Sequence, residues 1–349
     1  MAKDKDIAES QHYVQQAYQK GFFDDGKTNF WILDKSLPVK PNGEIENNLL
    51  KERGARVCFE GDFFYASNYY KEKDFLEKNF FGPIDADGAE ALSYMLSEDK
   101  HILPSEEIGM TLLRYISAQK FRTPKGLELI EQSVPGDLTR ENLLEILQQV
   151  HENMTITLAE SAIEILDASS CKTKFIVSDA PVIEWNRYAS QADADLYLLK
   201  GTRVIFPISK DFCLVSTPRE LAEGNLTKKN YLEPRINARK YGEVIFDIRK
   251  LQNLRDINDN EVCVINKLIK DHALRYIAGG KKDYLDPPAN ASEIEPIIMP
   301  KKFKRSRGIA REINGKMVGV NEYGMPLEGK ELEGFNRFMN WIKERSKKK

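Results

Sequence analysis

The sequence predicts an α+β protein: a helix-rich body, a small and mostly antiparallel β element, and a basic C-terminal appendage. Apolar residues recur at helical spacing in several segments between Asp74 and Tyr276. Runs rich in Val, Ile and Phe, bounded by turn residues, crowd between Lys174 and Thr217. Composition changes after Pro300, where residues 301–349 hold 14 Lys and Arg against 6 Asp and Glu. Residues 1–300 therefore read as a single domain and 301–349 as a basic hairpin and helix extension. A chain of 349 residues with 41% hydrophobic content can build a sizeable core.

In chain order, "ESQHYVQQAYQKGF" predicts an extended segment or a short helix. "TNFWILDKSLP" predicts a strand ended by Pro38, and "RVCFEGDFFYA" a strand and turn. From Asp74 to Gln132 the period is helical, through "DFLEKNFF", "DADGAEALSYMLSED" and "PSEEIGMTLLRYISAQKF". In the last of these Ser105 is a natural N-cap, and Ile108, Leu112, Tyr115 and Ile116 form one stripe. "FRTP" ends that helix, because the residue before Pro124 is pushed out of the helical region. "DLTRENLLEILQQVHEN" puts Leu143, Ile146, Leu147 and Val150 on one face, and "TLAESAIEILDAS" continues the helical reading. A β-rich block follows: "KFIVSDAPVIEW", then "TRVIFPISKDFCLVST", a hairpin turning near Ser209-Lys210-Asp211. "YGEVIFDI" predicts a further strand. "DNEVCVINKLIKDHALRYIAGG" predicts one helix with a stripe at Val262, Ile265, Ile269, His272 and Tyr276, capped at Gly279-Gly280. In the extension, Asn314-Gly315 is a type I′ hairpin signal, and "ELEGFNRFMNWIKERSKKK" has the makings of an amphipathic helix.

Charge and cysteine usage narrow the function classes. A formal net charge of −2 gives no overall attraction to nucleic acid or anionic membrane. Any such attraction must be local, and the extension carries about +8 against about −10 for the first 300 residues. Cys58, Cys171, Cys213 and Cys263 lie far apart, which argues against a zinc knuckle or a disulfide framework. No apolar run approaches the ~18 residues of a membrane helix, and "MAKDKDIAES" is no signal peptide. The expectation is a soluble, cytoplasmic protein. There is no Gly-rich phosphate loop, Gly-x-Ser-x-Gly elbow or His-Glu-x-x-His pair.

Candidate chemistry must come from scattered polar residues. Asp179 falls where the strand "FIVSD" ends, a place where sheets present ligands and catalytic groups. The competing reading is an Asx-turn at Ala180-Pro181. His12 stands in an aromatic-rich segment as a candidate acid or base. His272 reads as a core residue on its helix stripe, His151 as solvated, and Lys210 as solvated at its turn. Arg122 and Arg114 are candidates for a carboxylate or phosphate. Glu77 and Asp85 flank "KNFFGPI" and, with Asp179, could hold a divalent cation such as Mg. Lys301, Lys302, Lys304, Arg305 and Arg307 could grip a nucleic-acid backbone.

The order of segments resembles domain-of-unknown-function family 4238, whose members typically begin His-Tyr-Val-Pro-Gln. "HYVQQAYQKGF", "VCFEGDFFYA", "LEKNFFGPIDADGAEAL", "FRTP", "FIVSDAPV", "FPISKDFCLV" and "INKLIKDHALRYI" are similar to its blocks, over about residues 10–280. The resemblance implies that His12, Tyr13, Glu77, Asp85, Arg122, Pro124, Ser178, Asp179, Pro181 and Asn266 occupy motif positions. Gln15 stands where that family usually has proline, and Asp85 where it often has glutamate. The resemblance implies a shared fold and carries no reaction. Two function classes follow from the residues. One is a hydrolase, such as a metal-dependent nuclease acting as a defence effector, with His12, Asp179 and Arg122 catalytic and Glu77, Asp85 and Asp179 on the metal. The other is a non-catalytic nucleic-acid- or protein-binding regulatory module using the basic extension, with Ser178 and Asn266 at binding positions.

Overall fold

The computed structural model describes residues 10–37, 49–62, 77–96, 106–133, 139–190, 196–222, 226–235, 255–286, 294–298, 309–313 and 316–320, plus isolated helical positions between 332 and 340. The chain opens with β1 (Ser10–His12), α1 (Gln16–Lys20), β2 (Phe30–Asp34), β3 (Leu50–Arg53) and β4 (Glu60–Asp62). A π-helical turn over Glu77–Phe81 leads into α2 (Gly82–Met95), α3 (Glu106–Phe121), α4 (Pro124–Ser133) and α5 (Arg140–Ala159). Then come β5 (Ser161–Asp167), β6 (Val177–Ser178), β7 (Ile183–Trp185), β8 (Arg203–Pro207), β9 (Phe212–Pro218) and the single turn α6 (Arg219–Ala222). They are followed by β10 (Arg255–Asp256), α7 (Asp259–His272), β11 (Tyr276–Gly279), α8 (Ile294–Ile298), β12 (Ile309–Ile313) and β13 (Lys316–Val320).

The class is α+β, as the periodicities predict. A five-stranded sheet runs β10-β5-β9-β8-β7 and a four-stranded sheet β3-β2-β11-β6. Every pairing in the two is antiparallel except β10 with β5. Helix α3 packs on α2 and α5, and α4 on α5. Local chemistry sets these boundaries. Thr139 accepts the Asn142 N–H at 3.2 Å to start α5, and Asn258 with Glu261 forms a reciprocal capping box at the start of α7. Pro124 separates α3 from α4, and Thr123 Oγ1 receives the Gly126 N–H at 3.1 Å. Gly88 lets α2 close on α3, since a Cβ there would stand 2.1 Å from the Tyr115 ring. The predicted hairpin is β8–β9, and Ile313 pairs with Lys316 on either side of the Asn314-Gly315 signal.

Four expectations are corrected. "SAIEILD" is not a continuation of α5; it is β5, buried along its whole length between β9 and β10. Its apolar residues fit either period, and pairing with β9 over all seven positions decides for a strand. The helix ending the body stops at His272, so "RYIAGG" gives β11, the strand between β2 and β6. Val262, Ile265, Ile269 and His272 do form the buried stripe, without Tyr276. His151 is buried, not solvated: its Nε2 lies 2.9 Å from the Arg114 carbonyl, and its ring meets Phe80 edge-on. Lys210 is likewise tied down, 3.1 Å from Asp25 and 3.0 Å from Asp211. The strand expected at "YGEVIFDI", Ser105, and Lys301, Lys302, Lys304, Arg305 and Arg307 lie outside the described residues.

Candidate functional site

Two polar nodes use the residues singled out in the sequence. At the first, the buried Arg122 guanidinium donates to Asp85 Oδ1 at 2.6 Å and to the His12 carbonyl at 2.9 Å. It also lies 4.7 Å from the centroid of the Phe81 ring. Gln15 donates to the Asp85 carbonyl at 2.7 Å and accepts from the Tyr115 hydroxyl at 2.8 Å. Gln15, the departure from the resembled motif, is thus a hydrogen-bonding link that proline could not supply. Arg122 fastens the N-terminal segment to α2 through two acceptors held by one planar fork.

The second node is Asp179. Its carboxylate accepts three backbone N–H bonds, from Leu274 at 2.9 Å, Arg275 at 2.7 Å and Tyr276 at 2.8 Å. Burial pushes this carboxyl upward from its ordinary range, against the pull of those N–H groups and of Lys35. The expected Asx-turn is replaced by a local turn at Ser178, whose Oγ receives the Ala180 N–H at 3.3 Å. Asn266 is fully buried and imitates a strand, taking the Ile176 N–H at 3.2 Å and donating to the Lys174 carbonyl at 2.8 Å. Lys35 closes the same region by donating to the Lys270 and Ala273 carbonyls at 2.5 and 2.7 Å, at the end of α7. Lys125 donates to the His272 carbonyl, and burial and Lys120 bring its ammonium down to about 8. Burial holds His272 well below the ordinary imidazole value, with Lys125 and Lys120 adding to the effect.

Asp179 and Asp85 therefore have separate partners. Among the described residues no three His, Cys, Asp or Glu side chains come together as metal ligands. Glu77 opens the π-helical turn, and its side chain lies outside the described residues.

A groove of about 420 Å³ lies beside these nodes. Its floor is one face of the four-stranded sheet: Ile32 and Asp34 of β2, Lys51 and Arg53 of β3, and Tyr276 of β11. Cross-strand partners share a face, and Ile32 pairs with Lys51 and Asp34 with Tyr276. Tyr13 and the segment Val57–Glu60 form the walls. Asp34 receives Arg275 through three contacts of 2.7–3.0 Å, and those bonds hold its carboxyl down at about 2. Burial pushes the Cys58 thiol up to about 11, so it is a neutral thiol at pH 7. Phe59 has φ 54°, a left-handed conformation that is rare for a bulky residue. Its carbonyl takes the N–H groups of Tyr13 and Val14 at 3.1 and 3.4 Å. His12 stands just behind this wall, its Nε2 3.1 Å from the Arg56 carbonyl and 3.7 Å from Glu60 Oε2.

Of the polar residues picked from the sequence, Asp179 and Arg122 support the groove without lining it. Asp179 fixes the Arg275–Tyr276 rim, and Arg122 fixes the His12–Tyr13 segment. The groove residues Asp34, Lys51, Arg53, Val57 and Arg275 were missed. The segment from Leu49 to Arg53 carried no motif and was not read at all.

The class this defines is an α+β protein with two mostly antiparallel sheets, of five and four strands, and a groove on the smaller one. Residues 127–283 match the model of a family described as "Protein of unknown function (DUF4238)". The chain is similar to that family over most of α4, over α5 and α7, the five-stranded sheet and the Asp179 node; α1 to α3, with His12, Glu77, Asp85 and Arg122, lie before the matched stretch. No curated protein and no solved structure matches the chain. Among the described residues no helix is long and apolar enough to cross a membrane.

Proposed function

We propose that this chain is a binding module for an anionic ligand, seated in the groove beside β3. One observation carries the reading: Asp179 spends its carboxylate on the N–H groups of Leu274, Arg275 and Tyr276, so it serves the groove's rim and not a reaction. Arg122, Ser178 and Asn266 act in the same way, as buried braces. The groove's volume falls in the range of sites that take small molecules or short peptide segments. Nucleic acid is a candidate partner through the basic extension, whose charge alone enters the argument.

The hydrolase reading has one observation in its favour, the contact of His12 with Glu60, a groove-lining carboxylate. The two readings separate in a paired assay. Inorganic phosphate, AMP and a glutamate-rich peptide are screened by thermal shift, while DNA and RNA are incubated with Mg²⁺. The module reading expects a saturable shift that Arg275→Ala removes, and no turnover. Turnover abolished by His12→Ala at unchanged melting temperature would overturn it in favour of the hydrolase.

A further inference from the structure

We propose that the ligand is an extended acidic peptide that adds as a further strand to the free edge of β3. The inference rests on the groove being the binding site and specifies what occupies it. Four observations converge. First, β3 is the terminal strand of its sheet, paired to β2 on one side only among the described strands. A terminal strand presents a row of N–H and C=O groups that another chain can complete. Second, Lys51 and Arg53 stand two residues apart on β3 and face the groove. Both are exposed, and among the described residues neither is paired with a carboxylate. The groove's own acids are engaged elsewhere, Asp34 by Arg275 and Glu60 beside His12. The unmatched charge is positive and repeats at strand spacing, about 6.7 Å, the interval of alternate side chains on an incoming strand.

Third, Val57 is 56% exposed on the groove wall. It gives an incoming strand an apolar contact next to the two cations. Fourth, the wall is held in a strained shape, with Phe59 at φ 54° pinned by two N–H donors from the Tyr13–Val14 turn. Strain of this kind accumulates where a ligand must be clamped. An extended strand whose acidic side chains face the groove meets the strand edge and both cations at once, with its intervening apolar side chains on the opposite face of the sheet. A mononucleotide would use the cations and leave the strand edge and its spacing without a role.

The test uses the full chain and fluorescein-labelled octapeptides, alternating Val-Glu and alternating Val-Lys, followed by fluorescence anisotropy. The Val-Glu peptide binds and the Val-Lys peptide does not. Methylating alternate backbone nitrogens of the Val-Glu peptide removes its ladder donors and abolishes binding in one of the two registers. The double variant Lys51→Glu, Arg53→Glu weakens Val-Glu binding at least about tenfold and admits Val-Lys. Equal binding of both methylated forms overturns strand addition and leaves the groove as the site. Preference for Val-Lys overturns the acidic class. No peptide binding up to about 1 mM, with an Arg275-dependent shift by phosphate or AMP, overturns the peptide and keeps the module. Silence from every probe overturns both.

Discussion

At the scale of single residues, the conspicuous polar positions are fasteners. Arg122 is the clearest, since one buried fork serves Asp85 and the His12 carbonyl while covering Phe81. Removing one partner of a buried pair strands the other, which costs about 3–5 kcal/mol. Arg122→Ala should therefore lower the urea-unfolding free energy by about 3 kcal/mol, close to the lower bound because Asp85 keeps some solvent contact. Arg122→Lys should recover less than half of it, because an ammonium cannot span both acceptors. A loss below about 1 kcal/mol for the alanine variant would mean that the pair is no stronger than a surface one. The sequence marked these residues as chemically unusual, and they are. What it could not convey is direction: whether a polar side chain turns toward a ligand or toward the backbone is set by partners far away in sequence.

Among the elements, close approach of α2 and α3 depends on Gly88. Alanine in an exposed helix interior normally gains about 1 kcal/mol over glycine. Here its methyl would meet the Tyr115 ring at 2.1 Å, and that ring is held by its hydroxyl on Gln15. Gly88→Ala should therefore lower the melting temperature, at a net cost of about 1–3 kcal/mol; a rise would show that the helices stand further apart. Helices with one apolar face were legible, as was the β8–β9 hairpin, because each is decided within a few residues; the caps at Thr139 and Asn258 were not singled out. Strands β5 and β11 were not. "SAIEILD" has a helix-compatible spacing, and "RYIAGG" follows a strong helix without a proline. Each becomes a strand through partners 45 residues or more away, β9 for the first and β2 for the second. The groove was illegible for the same reason, since its floor is a register between strands.

For the whole molecule, two buried imidazoles set the response to acid. Burial lowers His151 to about 4 and puts His272 well below its ordinary value. An unfolded imidazole titrates near 6.5. Between roughly pH 6.5 and 4 the unfolded chain thus takes up protons that the folded chain refuses. Stability is fully present above the unfolded value and falls with pH, by up to about 1.4 kcal/mol per pH unit for each group. The urea midpoint should hold from pH 7.5 to about pH 7 and then drop from about pH 6.5 to pH 5, and His151→Gln should flatten that slope. A midpoint that rises on acidification would contradict the burial of both rings. The pairing of β2 with β11 has a different consequence, one in time. Asp34 and Arg275 meet across 241 positions of chain, so the groove cannot close until nearly all of the body has left the ribosome. Its sheet has high contact order and should be the slow step of folding, with the β11-side edge of β2 waiting, open to the wrong neighbour, while α2 to α5 are already assembled.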